Sequence, residues 1–292
     1  MSTVIATATG HIGSELTRRL LEAGEKPTLL VRHPEKVAAA KARGAKVAQG
    51  SLEDEAFVVE ATKGAMALFW LTPPKMDAPV FRKYQRRLGA IAAKAVATNK
   101  IARVVNLSSI GAQLPSGVGP VSGLHEVEEA IDRVASNVTH LRAGDFMENM
   151  LNFVGSIKSA GAFFLPVPAG VKLPMVATRD IAEVAARVLL DTSWSGRRAV
   201  TVYGPEELSH AEVAAILGEV LSRPVGFTQV TPDQARQVML GLGFTADLVR
   251  EFLEMYDAFS TGRVLQGLPA KPDFRGKTTF REFAATVIKP GF

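Results

Sequence analysis

The first dozen residues constrain the fold more than any other part of this chain. Residues 3–13 read TVIATATGHIG, a short β-branched run followed by a turn that contains Gly10 and Gly13. The next segment, residues 14–23, carries leucines at helical spacing. Strand, tight turn and helix in this order predict a phosphate site, because the first N–H groups of such a helix have no partner within it.

The turn has two of the three glycines of the dinucleotide-binding fingerprint. Its spacing is T-x-x-G-x-x-G, with Thr7 where the tighter form has glycine. Two glycines three residues apart also occur in an ordinary βα turn, which remains the alternative. We predict that the turn binds a cofactor diphosphate through Thr7, Thr9, Gly10, His11, Ile12 and Gly13.

A basic residue follows the second predicted strand, residues 26–32 (KPTLLVR). NAD-binding proteins place an acidic residue about 20 positions after the glycine turn to bind the ribose 2′-hydroxyl. This chain has Arg32 at that place and Lys36 shortly after it. A guanidinium suits a 2′-phosphate, so the sequence favours NADP(H) over NAD(H). The alternative is an arginine that only faces solvent.

Two further predicted strands end in candidate site residues. Residues 65–71 (AMALFWL) form a continuous apolar run that is typical of a buried parallel strand, and residues 101–107 form the next strand. Ligands of open parallel sheets lie outside the carboxyl ends of the strands. We therefore expect contacts with the cofactor from Leu71, Thr72, Pro73 and Ser108.

The alternation of strands and helices predicts the fold class. From residue 3 to residue 142 the two alternate, which indicates an α/β protein with a doubly wound parallel sheet. The pattern becomes irregular after that. We predict a dinucleotide-binding domain of the Rossmann type over residues 1–150. A smaller C-terminal α/β lobe over residues 151–292, interleaved with the sheet edge, would select the substrate.

Composition excludes several classes of site and partner. The 292 residues include no cysteine, and the five histidines lack the spacing of metal ligands, so we expect no disulfide and no metal site. No segment resembles a signal peptide or a membrane span, and we expect a cytoplasmic protein without a membrane partner. The net charge of +5 is mild, and the basic cluster at residues 82–87 is typical of a solvated helix face. We therefore expect no direct binding of nucleic acid.

Several segments together resemble the NmrA-like NAD(P)H-binding family, a group of atypical short-chain dehydrogenases/reductases. They are residues 8–13 (ATGHIG), 31–36 (VRHPEK), 71–74 (LTPP), 107–112 (LSSIGA), 146–149 (FMEN), 176–182 (VATRDIA) and 204–209 (GPEELS). The resemblance spans roughly residues 3–230 and implies the Rossmann fold and NADP(H). Quinone oxidoreductases, phenylpropanoid-type reductases and catalytically silent redox sensors share the pattern.

The candidate active-site helix departs from this group. Ordinary short-chain reductases carry a Tyr-x-x-x-Lys pair there, whereas residues 123–129 read GLHEVEE. His125 is then the candidate proton donor, because imidazole titrates near neutral pH; a helix cap or a ribose contact is its alternative role. Ser108 is the second catalytic candidate, and Ser109, which follows the strand end, is a candidate substrate contact; the alternative for both serines is hydrogen bonding to the loop backbone. The resemblance places Asn149 on the substrate side together with Glu148, and a buried polar pair that fixes the loop is the alternative.

Two functions fit these observations. The first is an NADPH-dependent oxidoreductase that transfers hydride to a small apolar acceptor such as a quinone, which needs little acid catalysis. The second is a catalytically weak NADP(H)-binding redox sensor, which the missing Tyr-Lys pair favours. The partner would be a small-molecule acceptor in the first case, and the sequence leaves open whether the protein is a monomer or a homodimer.

Overall fold

A parallel sheet of eight strands lies at the centre of residues 2–292, the part of the chain that this computed structural model describes. The strands of the whole described chain are β1 Thr3–Ile5, β2 Thr28–Val31, β3 Lys46–Gln49, β4 Ala67–Leu71, β5 Arg103–Ser109, β6 Val138–Ala143, β7 Asp145–Phe146, β8 Ala162–Leu165, β9 Lys172–Val176, β10 Arg197–Tyr203, β11 Glu207–Ser209, β12 Gly226–Gln229 and β13 Phe274–Arg275. The main sheet has the order β13-β10-β6-β5-β4-β1-β2-β3, and its strands pair in parallel. This order confirms the doubly wound α/β class.

Helices cover both faces of this sheet. They are α1 His11–Glu22, α2 Ala38–Ala42, α3 Glu55–Ala61, α4 Phe81–Asn99, α5 Pro120–Asp132, α6 Val154–Ala160, α7 Thr178–Leu190, α8 His210–Leu221, α9 Pro232–Gly241, α10 Ala246–Ser260 and α11 Phe280–Phe283. Short 3-10 turns span Pro34–Val37, Met147–Phe153, Arg263–Leu265 and Lys289–Gly291, and a π turn spans Ala284–Ile288. None of the helices within residues 2–292 has the length and apolar character that crossing a bilayer requires.

The two faces of the sheet have separate hydrophobic cores. On one face α1 and α7 pack on the sheet, and Phe69 of β4 belongs to this core. On the other face α4 and α5 pack together, and Trp70 belongs to that core. Neighbouring residues of β4 are thus fully buried on opposite sides, which explains why the strand reads as an unbroken apolar run.

The C-terminal half completes the main sheet and adds a lobe. Strands β10 and β13 extend the sheet beyond β6, while β12 pairs with β8, and β9 lies between β11 and β7. Helices α8 and α11 enclose a third core around Phe163, Leu217 and Phe280. The proposed boundary at residue 150 stays a prediction, since the chain returns to the sheet at residue 197.

Helix α10 reaches back from this half of the chain onto the starts of α4 and α5. The Phe81 N–H group donates to Asp247 Oδ2 at 2.7 Å, and the Thr245 hydroxyl donates to the Ala78 carbonyl at 3.1 Å. Gly119 precedes α5 with a φ of 57°, and a Cβ there would overlap the Glu251 carbonyl. Glycine therefore allows α5 and α10 to approach closely.

One local expectation was wrong in its detail, since helix α1 begins at His11, three residues before the predicted start at residue 14. Helix α3 is capped by Asp54, whose carboxylate accepts the Phe57 N–H at 3.1 Å. Asp180 lies inside the first turn of α7. Its carboxylate accepts N–H groups of residues 277 and 278, which fixes the C-terminal segment.

Candidate functional site

The turn between β1 and α1 is built by backbone contacts. Thr7 adopts a left-handed conformation with a φ of 58°, and its carbonyl accepts the Gly10 N–H at 3.0 Å. A Cβ on Gly13 would overlap that same Thr7 carbonyl oxygen, so the helix can approach the turn only with glycine there.

The amino end of α1 is open to a ligand. Gly10 occupies the N-cap position, which provides no capping side chain, and the first turn has no acidic residue. A Cβ on Gly10 would meet only the Thr7 carbonyl, at an ordinary 3.6 Å, so the fold itself does not require glycine there. Thr9 and His11 are exposed, whereas the Ile12 side chain is buried in the core. The free N–H groups and the space before them fit a diphosphate.

Two basic side chains lie beyond the carboxyl end of β2. Arg32 follows the strand directly and Lys36 belongs to the next 3-10 turn, and both are exposed. The charge of Arg32 is also felt by Tyr84 on α4. Burial raises the pKa of Tyr84 to about 12, Glu53 adds to this rise, and Arg32 opposes it. Arg32 is therefore close enough to Tyr84 of α4 to influence the pKa of its phenol.

A cavity of about 280 Å³ opens at the carboxyl ends of β4, β5 and β6, and we call it the strand-end cavity. Its lining is mostly apolar and comprises Leu71, Thr72, Pro74, Phe81, Gln85, Leu107, Ser108, Ser109, Ile110, Pro120, Val121, Leu124, Gly144, Asp145, Phe146, Asn149, Phe252, Met255 and Phe259. The structure thus brings together five residues predicted from the sequence, namely Leu71, Thr72, Ser108, Ser109 and Asn149. Pro73 lies beside this lining, between Thr72 and Pro74.

Two polar groups at the base of the strand-end cavity lack partners within residues 2–292. Ser108 is 2% exposed and Gln85 is 4% exposed. The Gln85 Nε2 group donates to the Pro120 carbonyl at 3.0 Å, which leaves Oε1 unpaired, and the Ser108 hydroxyl is also unpaired. A Cβ on Gly123 would overlap Gln85 Oε1, so the amide fills space that glycine leaves on α5. A buried polar group without a partner costs about 1–3 kcal/mol, which a ligand can recover.

Asp145 is a site residue that the sequence analysis missed. It follows β6 by two residues, is half-buried, and accepts a hydrogen bond at Oδ1 from Asn149 Nδ2 at 2.8 Å. Burial raises the pKa of Asp145 to about 6, and the hydrogen bond from Asn149 opposes the rise. The neighbouring Glu148 has a different task, since its carboxylate accepts the N–H and the hydroxyl of Thr178 at the start of α7.

His125 is held away from the strand-end cavity. Its Nδ1 lies 2.8 Å from the Ala112 carbonyl oxygen, and its Nε2 lies 3.6 Å from Glu129 Oε1. Within residues 2–292 the lining of the cavity does not include it. The structure therefore does not bring His125 together with Ser108, and its catalytic role stays a prediction.

Helix α10 supplies the aromatic side of the cavity. Phe252, Met255 and Phe259 line it opposite the strand ends. No local signal in the sequence indicates where this helix packs. On its other side α10 borders a second cavity of about 470 Å³, which Leu253, Tyr256 and other residues of the lobe line. That cavity is larger, but within residues 2–292 its lining does not include the strand ends of the main sheet, where ligands of such sheets bind.

Comparison with known families and proteins agrees with this architecture. The model of the NmrA-like family matches residues 2–283. An NAD(P)H azoreductase of Xenophilus azovorans is 32% identical over 283 residues, which cover 96% of each chain. A (4-alkanoyl-5-oxo-2,5-dihydrofuran-3-yl)methyl phosphate reductase of Streptomyces griseus is 29% identical, with 97% of this chain and 96% of the relative covered.

Solved structures share the fold over nearly the whole chain. The triphenylmethane reductase of Citrobacter sp. in complex with NADP(H) superposes with a TM-score of 0.77 at 20% identity, covering 97% of this chain and 98% of that one. The NADPH-dependent quinone oxidoreductase of Escherichia coli in complex with NADPH gives a TM-score of 0.75 at 19% identity, covering 98% and 99%. At these identities the likeness concerns the fold.

Proposed function

This chain belongs to the NmrA-like family, and on that premise we propose that it is an NADPH-dependent reductase of a flat, apolar acceptor. The observation that carries the proposal is the strand-end cavity, which lies at the carboxyl ends of the strands in the same sheet whose first helix has an open amino end. A nucleotide that binds along this edge would bring its reactive end to the cavity.

The residues that would hold the cofactor follow from the geometry. The N–H groups at the start of α1, from His11 to Gly13, would bind the diphosphate, with Thr7, Thr9 and Gly10 forming the turn around it. Arg32 and Lys36 would bind the 2′-phosphate, and this choice of NADP(H) is part of the proposal. Leu71, Thr72, Pro73 and Ser108 would contact the nicotinamide end. The bound cofactor supplies a hydride.

The chemistry of the lining limits the acceptor. Aromatic and aliphatic side chains from the ends of β4 and β5, from α4, α5 and α10, and from the segment after β6 dominate, and within residues 2–292 no lysine, arginine or histidine lines the cavity. A phosphate-bearing substrate, of the kind named for the Streptomyces griseus relative, would find no cation there. An aromatic azo compound or a quinone matches the lining better. Ser108, Ser109 and Asn149 are the side chains that would hydrogen-bond its polar atoms.

A redox sensor remains the second candidate, because residues 123–129 lack the Tyr-Lys pair and Gln85 fills the space beside Gly123. The two functions differ in turnover. Purified protein is mixed with NADPH and a panel of azo compounds and quinones, and the nicotinamide absorbance is followed. We expect turnover, with Ser108→Ala reducing kcat for the acceptors. NADPH binding without turnover for any acceptor would support the sensor and contradict the reductase.

The same assay tests His125. If the imidazole is the proton donor, His125→Ala lowers kcat while the Kd for NADPH stays the same. An unchanged kcat would show that His125 has only a structural role, through its contact with the Ala112 carbonyl oxygen.

A further inference from the structure

We propose that Asp145 is the proton donor to the acceptor during reduction, a role that rests on the proposed reductase function. The side chain lines the strand-end cavity immediately after β6, next to Phe146 and opposite α10. It thus reaches the same space as the group to be reduced, and it is the feature of this cavity that neither the glycine turn nor the family pattern pointed to.

The other lining residues are unable to take this role. Thr72, Ser108 and Ser109 carry hydroxyl groups that hold their protons far above neutral pH, and Gln85 and Asn149 carry neutral amides. Within residues 2–292, Asp145 is the one lining residue whose side chain can release a proton near neutral pH.

The surroundings of Asp145 suit a carboxyl group that exchanges a proton. Asn149 fixes one carboxyl oxygen through its 2.8 Å hydrogen bond, so the group has a defined orientation at the mouth of the cavity. Its main titratable neighbour is Tyr256 of α10, whose phenol stays neutral because burial and the charge of Asp145 both raise its pKa. Glu148, from the following turn, is directed to Thr178 instead. Burial raises the pKa of Asp145 to about 6, which keeps part of the population protonated near neutral pH.

The proton balance of an azo acceptor shows why a donor is needed. When one nitrogen of the N=N group gains a hydride, the π bond between the two nitrogens breaks heterolytically. Its electron pair remains on the other nitrogen, and the single N–N bond stays. The O–H bond of Asp145 then breaks as an N–H bond forms on that nitrogen. The products are a neutral hydrazo compound and the Asp145 carboxylate, which recovers a proton from water at the cavity mouth. NADPH is the two-electron reductant and leaves as NADP⁺.

Three classes of acceptor depend on this step to different degrees. The anion of a hydrazo compound is strongly basic and requires a proton donor. The anion of a quinol is weakly basic and can take its proton from water later. A cationic triarylmethane dye becomes neutral when it gains a hydride and requires no proton. The choice of acceptor therefore decides whether the reaction depends on a proton from Asp145, while the active site stays the same.

The test compares wild type with Asp145→Asn, which keeps the shape and a hydrogen bond with Asn149 but has no acidic proton. We expect kcat for an azo acceptor to fall about 100-fold, kcat for a quinone to fall only a few-fold, and the triarylmethane rate to fall least. Asp257→Asn is the matched control, because it removes the same charge from the far side of α10, beside the second cavity. The Kd for NADPH, measured by nicotinamide fluorescence, should be the same in all three proteins.

Two further readouts separate proton donation from a structural role. The carboxyl resonance of Asp145 should titrate near pH 6 in carbon-13 NMR, and the azo rate of wild type should fall above that pH. In Asn149→Ala both midpoints should move to higher pH, because the hydrogen bond that lowers the pKa is lost. Equal losses for the azo, quinone and triarylmethane acceptors in Asp145→Asn would overturn the proposed role while leaving the reductase intact. A wild-type protein that reduces none of the three would overturn both.

Discussion

The two parts of the ligand cleft are constructed differently. Around the β1–α1 turn the ligand would meet backbone N–H groups. Gly10 and Gly13 matter there because they carry no side chain and so leave room. Around the strand-end cavity the surface consists of side chains, and three of them lie on α10, which is more than 100 residues away from the strands it faces. We call these the backbone-built half and the side-chain-built half.

Because of this difference, the two halves tolerate different amino-acid substitutions. In the backbone-built half the binding geometry is formed by the main chain, so a single carbon atom added at Gly13 alters both stability and cofactor binding, whereas one added at Gly10 alters cofactor binding alone. In the side-chain-built half a substitution changes the volume or polarity of a cavity whose walls stay in place. The same fold can thus bind one cofactor and different acceptors. This agrees with the different substrates named for two relatives, an azoreductase and a reductase of a dihydrofuranyl methyl phosphate.

The largest effect is expected for Gly13→Ala, because its Cβ would overlap the Thr7 carbonyl oxygen. We expect a loss of about 3 kcal/mol in the free energy of unfolding and the disappearance of NADPH binding at micromolar concentrations. Thermal denaturation and calorimetry measure the two. Gly10→Ala is the control, since a Cβ there has room within the protein: it should keep its stability and lose about tenfold in NADPH affinity through contact with the diphosphate. Two equally stable variants would contradict the backbone-built description.

Much of the backbone-built half could be predicted from the sequence because its signals are local. Glycine spacing marks the turn between β1 and α1. In the side-chain-built half, an apolar run marks β4, and the rule on strand ends locates Thr72, Ser108 and Ser109. The rest of the side-chain-built half depends on distant contacts. The position of α10 follows from the fit of Gly119 against the Glu251 carbonyl, 132 residues away (251 − 119), and no local pattern encodes such a contact.

Asp145 was missed for a more specific reason. In the sequence the regular alternation of strands and helices stops at residue 142, whereas β6 continues to Ala143. The rule on strand ends that located Ser108 was therefore not applied to the residues after this strand, where Asp145 lies. For His125 the sequence predicted a helix position, which the structure has in α5, and the 2.8 Å contact of its Nδ1 with the Ala112 carbonyl oxygen is a detail that no local pattern indicated. Its catalytic role stays a prediction.

The second largest effect is expected for Arg32→Glu in the backbone-built half. The change removes a charged partner of the 2′-phosphate and introduces repulsion, so NADPH should bind about 30-fold more weakly, or about 2 kcal/mol, while NADH should change little. Lys46→Glu is the matched control, because Lys46 is exposed and begins β3 at the opposite end of the strands. Equal losses for the two cofactors would refute the assignment of the 2′-phosphate to Arg32.

A pH effect on stability is expected in the C-terminal lobe. His210 stacks on Phe227 at 5.1 Å, and burial lowers its pKa to about 4. The imidazole of His210 therefore binds a proton more tightly in the unfolded chain than in the folded protein. The free energy of unfolding is at its full value above pH 6.5, where His210 is neutral in both states, and it falls as the pH decreases toward 4. The loss should reach about 2 kcal/mol at pH 5.

Urea denaturation at pH 8 and pH 5 measures this loss, and His210→Phe should remove the part that His210 causes. The central sheet offers a contrast, because the buried His140 has a partner in Asp132, at 3.1 Å from Nε2. An acid-induced loss of the same size in His210→Phe would show that other groups are responsible.

A smaller effect is expected for Met255→Ala, which enlarges the strand-end cavity from the side of α10. We expect KM for an aromatic acceptor to rise about fivefold, or about 1 kcal/mol of lost apolar contact, with no change in the Kd for NADPH. Leu253→Ala is the control on the same helix, because Leu253 borders the second cavity. A change in cofactor affinity in Met255→Ala would contradict the separation between the two halves.

The smallest effect is expected for Thr7→Gly, and it asks whether the missing first glycine weakens cofactor binding. A threonine in the left-handed region costs about 1–2 kcal/mol, and glycine removes this strain from the folded state. Glycine also raises the conformational entropy of the unfolded chain, which opposes folding, so the net gain in stability should be about 0.5 kcal/mol. Lys100→Gly and Ser222→Gly are matched controls, because these residues also have a positive φ, of 52° and 55°, at helix ends. All three variants should gain similar stability, but only Thr7→Gly should bind NADPH more tightly, since only Thr7 would lie beside the diphosphate in the proposed binding mode. Equal affinity in the three would mean that the threonine does not crowd the cofactor, and that the backbone N–H groups of α1 set the affinity of this turn.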